Sequence, residues 1–226
     1  LILLKVFSLL LTLWFGEMYK KKFFFIVFEG VEGTGKSYQI SRLFDNLKKE
    51  KYLPIKTREP GGSVSAEKIR NLIFANKSET FEDLTDFYLM LAARNEHIKK
   101  TINKAKHHKK ILICDRFTDS TFAYQVVGKN ISKKIHELNN KYIIGTLKPD
   151  LTIILKSKMS SIFTRINSRK NSNKFDKLNK HFYNKVQNAF IKISKLKKNY
   201  HLFDSTENNQ ALEKKIFNLF LKKLKK

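Results

Sequence analysis

A three-layer α/β domain, with a central parallel five-stranded sheet flanked by helices, is what this sequence predicts, and three observations carry that reading. Short apolar runs alternate with longer amphipathic segments along most of the 226 residues, the order that covers a parallel sheet with helices on both faces. Between the first apolar run and the first amphipathic segment stands a glycine-rich octad, Gly30-Val-Glu-Gly-Thr-Gly-Lys-Ser37. Hydrophobic residues make up 42% of the chain, enough for one sizeable core, and no repeat or linker divides it.

The elements follow in order. Phe23 to Phe28 is an apolar, aromatic run of strand length that ends at the octad, and reads as a buried first strand. After the octad, Ile40, Leu43, Phe44 and Leu47 recur at helical spacing. Tyr52 to Thr57 is a short second strand, closed by the turn signal Arg58-Glu-Pro-Gly-Gly62. Ser65 to Phe74 reads as a helix with Ile69, Leu72 and Ile73 on one face. A longer helix from about Leu84 to Lys106 carries Leu91, Ile98, Ile102 and Ala105 on one stripe. Ile111 to Cys114 is a third strand closed by Asp115. Ile131 to Leu147 reads as helix, Leu151 to Leu155 as the fourth strand and Ser160 to Ser168 as a further helix. Ser168 to Asn173 is polar and basic without periodicity, and is expected to belong to a mobile lid at about 165–176. Helix resumes over Lys177 to Lys195, with Phe182, Val186, Ala189, Phe190 and Ile193. Tyr200 to Phe203 is the last strand, and Leu212, Ile216, Phe220 and Leu224 stripe the final helix four residues apart.

The octad fits G-x-x-x-x-G-K-[ST], a loop that wraps nucleotide phosphates, and its setting between strand and helix is the one the pattern requires. Glycines admit backbone dihedrals closed to other residues, so that N–H groups can turn toward an anion. Gly30, Val31, Glu32, Gly33, Thr34, Gly35, Lys36 and Ser37 are therefore the candidate ATP-binding residues. Lys36 is expected to reach the β- and γ-phosphates and Ser37 to ligate Mg²⁺. The fold class is accordingly that of a P-loop NTPase.

A formal charge of +26 invites a nucleic-acid reading. Of the 46 basic residues all but seven are lysines, and they are scattered along the chain among abundant Asn, Ile and Phe. That mixture is the drift an A/T-rich coding sequence produces, so no specific nucleic-acid partner is expected. The single cysteine, Cys114, excludes an internal disulfide and a four-cysteine metal site, and its apolar neighbours make it a small buried side chain. The six histidines show no catalytic arrangement. Val6 to Phe15 is apolar but only ten residues long, where a spanning helix needs about twenty. Met18 is expected to be the true start and residues 1–17 a non-native upstream extension, which makes the protein cytoplasmic, with no membrane partner.

Asp115-Arg116 stands at the carboxyl end of the third strand, the sheet edge where ligands of open α/β folds sit. Enzymes of this class that hydrolyse nucleotides place a second acid there to activate water. Here an arginine follows, and it suits a phosphate better; a local Arg116–Asp115 ion pair is the plain alternative. Among so many lysines the seven arginines, Arg42, Arg58, Arg70, Arg94, Arg116, Arg165 and Arg169, point to places that need a planar, bidentate fork.

Taken together, the chain resembles the bacterial thymidylate kinase (dTMP kinase) family of P-loop nucleoside monophosphate kinases. The resemblance rests on Phe28-Glu-Gly-Val-Glu-Gly-Thr-Gly-Lys-Ser37, Thr57-Arg-Glu-Pro-Gly-Gly62, Leu91-Ala-Ala-Arg94, Asp115-Arg-Phe-Thr-Asp-Ser-Thr-Phe-Ala-Tyr-Gln125 and Lys148-Pro-Asp-Leu-Thr-Ile153. It runs from about Lys22 to the C-terminus and implies one kinase domain over residues 18–226. The implied reaction moves the γ-phosphoryl of ATP to dTMP with Mg²⁺, in a homodimer. Within that resemblance Glu32 approaches the sugar 3′-hydroxyl, and Arg58, Arg70 and Arg116 hold the acceptor phosphate. Arg94 reaches the thymine edge with Ser120, Thr121 and Gln125, and Tyr124 packs on the deoxyribose. Asp115 orients the Mg²⁺ shell through water. Lys36, Asp115, Arg116 and a lid arginine are the catalytic set; Arg165, Arg169 and Lys170 are the lid candidates and Arg169 the preferred one.

Two positions depart from the family pattern. The family's Phe stacking on thymine is replaced by Met90, a polarisable platform, and the lid motif Asp-Arg-Phe-Glu stands here as Asn173-Lys-Phe-Asp176. Tyr124 as a core residue and Ser120 as a helix cap are the plain alternatives to their binding roles. For the chain as a whole the alternatives are another nucleotide or deoxynucleoside kinase, and a basic nucleic-acid-binding P-loop ATPase.

Overall fold

β1 (Phe24–Glu29) is buried along its whole length, as a strand covered on both faces must be. It is one of five strands, with β2 (Ile55–Arg58), β3 (Ile111–Asp115), β4 (Leu151–Lys156) and β5 (Tyr200–Asp204). In this computed structural model the sheet order is β2-β3-β1-β4-β5, and every pairing is parallel. The structure describes residues 22–75, 81–168, 178–206 and 209–224. The expected upstream extension and most of the expected lid, including Arg169, Lys170 and Asn173–Asp176, lie outside the described residues.

The connecting helices are α1 (Lys36–Lys49), α2 (Val64–Ala75), α3 (Asp83–His97), α4 (Thr118–Thr121), α5 (Lys133–Ile144), α6 (Met159–Asn167), α7 (Lys180–Ser194) and α8 (Asn209–Leu224). α3 runs on through a π-helical stretch, Ile98–Ile102, into a last turn at Asn103–His107, and α4 continues as the π-helical stretch Phe122–Gly128. Because side chains alternate along a strand, β1 feeds two cores. Phe24, Ile26 and Phe28 pack with Ile40, Leu43 and Leu47 of α1 and with Leu212, Ile216, Phe220 and Leu224 of α8. Phe25 and Val27 meet Ile98, Ile102 and Ala105 on the other face. Burying the four-residue stripe of α8 stabilises the fold by roughly 6–12 kcal/mol, an upper bound. A third cluster joins Ile154 of β4 to Ile162 and Ile166 of α6 and to Val186, Phe190 and Ile193 of α7. No helix among the described residues is long and apolar enough to cross a membrane.

The residues from Thr118 to Gly128, to which the sequence assigned no regular element, are helical. The cause is tertiary. Glu29, at the end of β1, accepts hydrogen bonds from the backbone N–H of Phe117 (2.8 Å) and Ser120 (3.3 Å) and from the Ser120 hydroxyl (2.5 Å). These are the orphan donors of a helix N-terminus, satisfied by a carboxylate about ninety residues earlier. Parallel register sets the same strand ends side by side: Phe28 lies opposite Asp115, and Asp115 opposite Arg58.

Candidate active site

The glycine-rich loop leaves β1 and enters α1 as its motif requires. Gly30 (φ 133°) and Gly33 (φ 74°) occupy dihedrals that glycine tolerates best. A Cβ on Gly30 would run into the Leu155 carbonyl oxygen, and one on Gly33 would stand 2.7 Å from that of Ile162. The loop is thus seated against β4 and α6 with no space for a larger residue. Arg165 reinforces it from outside, donating to the carbonyl oxygens of Gly33 (3.1 Å), Ser205 (3.0 Å) and Thr206 (3.1 Å). Of the three basic residues considered for the lid, this one is tied to backbone in the described structure.

Lys36 is buried and folded into the loop, where its Nζ donates to the carbonyl oxygens of Gly30 and Val31, each at 2.9 Å. Burial, and then the nearby Arg116 charge, lower its pKa to about 8. A cation held in this way gains from an incoming anion. Ser37, at the start of α1, is exposed.

Beside the loop lies a cavity of about 190 Å³ whose cations are Lys36, Arg70, Arg94 and Arg116. Arg116 sits just past β3 at φ 71°, an uncommon conformation for a bulky side chain. Its backbone N–H donates to Phe28 O (2.9 Å), and its guanidinium donates to Gly30 O (3.0 Å), Ser120 Oγ (3.0 Å) and Glu32 Oε1 (2.7 Å). The plain alternative of an Arg116–Asp115 pair gives way to an Arg116–Glu32 pair. Tyr124, itself buried, donates its hydroxyl to Glu32, and the Arg116 guanidinium lies 5.2 Å from the Tyr124 ring centre. Burial raises the Glu32 pKa, but the Arg116 and Lys36 charges outweigh it and hold the carboxyl below its usual range.

At the other end of the cavity Arg94 is buried on α3. Its Nε donates to Glu59 Oε2 (2.7 Å), and its Nη2 donates to Phe117 O and Thr121 Oγ1, each at 2.9 Å. Nη1 is buried with no partner among the described residues. Glu59 is held in turn by His97, whose Nδ1 lies 2.9 Å from Glu59 Oε1 and whose Nε2 lies 2.7 Å from Thr57 Oγ1. Met90, Ser120, Thr121 and Gln125 line the same cavity, and Phe74, Pro60 and Phe117 join them. Arg70 reaches in from α2, donating to Pro60 O at 2.8 Å. Arg58 does not enter this cavity. It is half exposed, pairs with Glu67 at 2.9 Å and faces a neighbouring shallow cleft.

Asp115 borders both spaces, and its buried Oδ1 has no partner among the described residues. No group of three or more His, Cys, Asp or Glu side chains that could hold a metal occurs among the described residues. Mg²⁺ needs no such cage, being bound through one or two carboxylates together with substrate phosphates and water. Asp115 and the Ser37 hydroxyl on the same cavity wall fit that donor set.

Sequence reasoning gave no role to Glu29, Glu59, His97 or Phe74. The turn signal drew attention to the backbone of Glu59 and its neighbours, and nothing local marks the partners of a buried acid. Glu29 is wholly buried, and burial with the nearby Asp119 raises its pKa.

A model of the family described as thymidylate kinase matches residues 28–216. A thymidylate kinase of Finegoldia magna is 35% identical over 184 residues, covering 81% of this chain and 91% of the relative. One of Mycoplasma capricolum is 33% identical over 204 residues, covering 89% and 96%. The crystal structure of thymidylate kinase from Ehrlichia chaffeensis superposes with a TM-score of 0.71 at 29% identity, covering 88% of this chain and 99% of that one.

Proposed function

This chain belongs to the thymidylate kinase family, and from that premise we propose that it moves the γ-phosphoryl group of ATP to dTMP, giving ADP and dTDP. One observation carries the proposal. Four cations converge on a cavity beside the phosphate-binding loop, and the Arg94 Nη1 at its far end is buried with no partner among the described residues. Such a space suits a ligand with an anion at one end and a hydrogen-bonding ring edge at the other.

The loop of Gly30 to Ser37 holds the donor phosphates, and Lys36 exchanges the carbonyl oxygens of Gly30 and Val31 for phosphate oxygens. Arg116 and Arg70 align the acceptor phosphate, while Glu32 receives the sugar 3′-hydroxyl and Tyr124 packs against the deoxyribose. Arg94, with Thr121, Ser120 and Gln125, reads the base. The acceptor phosphate is already an oxyanion at neutral pH, so no general base is needed, and positioning with charge neutralisation supplies the catalysis. Mg²⁺, when bound, screens the phosphate charges; Asp115 and Ser37 are the residues to hold it. Arg169 is the lid residue proposed to neutralise the transferring group. Arg58 has a weaker claim to the acceptor phosphate, because it points to the neighbouring cleft.

The functional unit is proposed to be a homodimer in the cytoplasm. α3 and α5 pack side by side, and they expose Leu84 (46%), Tyr88 (48%), Leu138 (55%) and Tyr142 (80%), side chains that a two-fold contact would cover. The reading is tested by ADP release with dTMP, dUMP, UMP and thymidine presented side by side. Preference for dTMP supports it. Preference for thymidine would mean a nucleoside kinase, and DNA-stimulated hydrolysis without dTMP a nucleic-acid-dependent ATPase.

A further inference from the structure

We propose that Arg165 and Ser205 are positioning residues for the donor's phosphates. They hold the carbonyl groups of Gly33 and Thr34 outward, so that the N–H groups of Thr34 and Gly35 turn into the phosphate-binding loop. The inference rests on the reading of Gly30 to Ser37 as the ATP site and adds two residues to it. Arg165 Nη1 donates to Gly33 O at 3.1 Å, and the Ser205 hydroxyl donates to Thr34 O at 2.7 Å. Both peptide bonds are trans, so a carbonyl held to one side points the N–H of the following residue to the other.

The two holders come from different elements and brace each other. Arg165 stands on α6, and its Nη2 donates to Ser205 O (3.0 Å) and Thr206 O (3.1 Å), just past β5. α6 meets the loop a second time one turn earlier, where Ile162 O stands against Gly33. Ser205 is wholly buried. Its hydroxyl also lies 3.0 Å from Lys156 O, but that oxygen is already served by the Ser205 N–H at 2.8 Å, and Thr34 O is nearer. The inner side of the loop is held differently, since Gly30 O and Val31 O accept from Lys36, which the donor's phosphates draw away. Neither Arg165 nor Ser205 lines the acceptor cavity or the cleft beside it, so their contacts persist when ligands arrive. Amides fixed in advance receive an anion without first having to be ordered. With its guanidinium committed to three backbone carbonyls, Arg165 is a holder of the loop and not the group that neutralises the transferring phosphoryl.

The test measures binding of the non-hydrolysable β,γ-imido analogue of ATP and of AMP by calorimetry, with Mg²⁺ present and dTMP saturating to keep AMP out of the acceptor cavity. Both ligands carry adenosine and an α-phosphate. Only the first has the β- and γ-phosphates that the loop grips, so the ratio of the two affinities isolates the loop. Arg165→Met and Ser205→Ala are each expected to weaken the triphosphate about tenfold and AMP less than about twofold, with KM for dTMP near wild type. Ser205→Ala changes no charge. Arg165→Lys keeps the charge but replaces the fork with a point donor, so it recovers only part of the ratio. If S205A leaves the ratio at its wild-type value and R165K restores it fully, long-range charge alone accounts for Arg165, and the loop is not held in this way. Equal weakening of both ligands also overturns the proposal, because it marks a general loosening or a contact to adenosine. Thermal unfolding checks that each variant is folded, and S205A decides alone if R165M is not. Should wild type bind AMP as tightly as the triphosphate, the reading of the loop as the ATP site falls first, and this proposal with it.

Discussion

Glu59→Ala removes the carboxylate that faces Arg94 and His97, and the structure sets the size of the effect. Glu59 and Arg94 are 5% and 3% exposed and meet at 2.7 Å. Removing one partner of such a buried pair leaves an uncompensated charge and costs about 3–5 kcal/mol. For a domain of this size that lowers Tm on the order of 10 °C. Replacing both, Glu59→Ala with Arg94→Met, removes the stranded charge and recovers most of the loss. Function follows another course. Arg94→Met, alone or in the double variant, removes the unpartnered Nη1, so KM for dTMP rises about tenfold or more while KM for ATP stays near wild type. Thermal unfolding and initial rates with each nucleotide varied separate the two effects. A Tm for E59A within about 2 °C of wild type, or a double variant no more stable than E59A, would refute a buried pair holding Arg94 in place.

Three further outcomes are expected. Lys36 has a folded pKa of about 8 against an ordinary 10.5; an arriving triphosphate favours its charged form, so ATP binding takes up a proton at pH 9 and affinity falls as pH rises through 8. Without ligand the sign is opposite for folding: the unfolded chain holds more protons between these two values, so this residue makes stability rise with pH across that window. Calorimetry in buffers of different ionisation heat reads the uptake, and its absence at pH 9 counts against the role of Lys36. Arg169→Ala is expected to lower kcat by about a hundredfold or more, as loss of a charge-neutralising donor does, with dTMP affinity little changed; unchanged turnover removes Arg169 from the mechanism. Wild type is expected to sediment as a dimer and Leu138→Asp with Tyr142→Asp as a monomer; a variant that stays dimeric would place the contact elsewhere.

Local chemistry explains what could be read in advance. Gly30 to Ser37 constrain one another within eight residues, so strand, loop and helix are all legible there. Leu212, Ile216, Phe220 and Leu224 announce α8 by spacing alone, and all four are buried. The helix from Thr118 was invisible for the opposite reason. Its N-terminal donors are satisfied by Glu29 across the sheet, and Thr118, Thr121, Val126 and Val127 are indifferent helix formers that offer no stripe. Site residues divide in the same way. Lys36, Arg94 and Arg116 could be proposed from motifs, but the pairing of Arg116 with Glu32 rather than Asp115, and the support of Arg94 by Glu59 and His97, depend on parallel register and helix packing. Arg58 shows the limit of motif reading, since it lies next to Glu59 in sequence and turns to the opposite side of the strand end.

The most direct measurement is a crystal structure of the protein with dTMP and a non-hydrolysable ATP analogue bound together. The account predicts the acceptor phosphate against Arg116 and Arg70, the thymine edge at Arg94 Nη1, and the β- and γ-phosphates at Lys36. A pyrimidine monophosphate seated away from Arg116, or a triphosphate that bypasses Lys36, would contradict it.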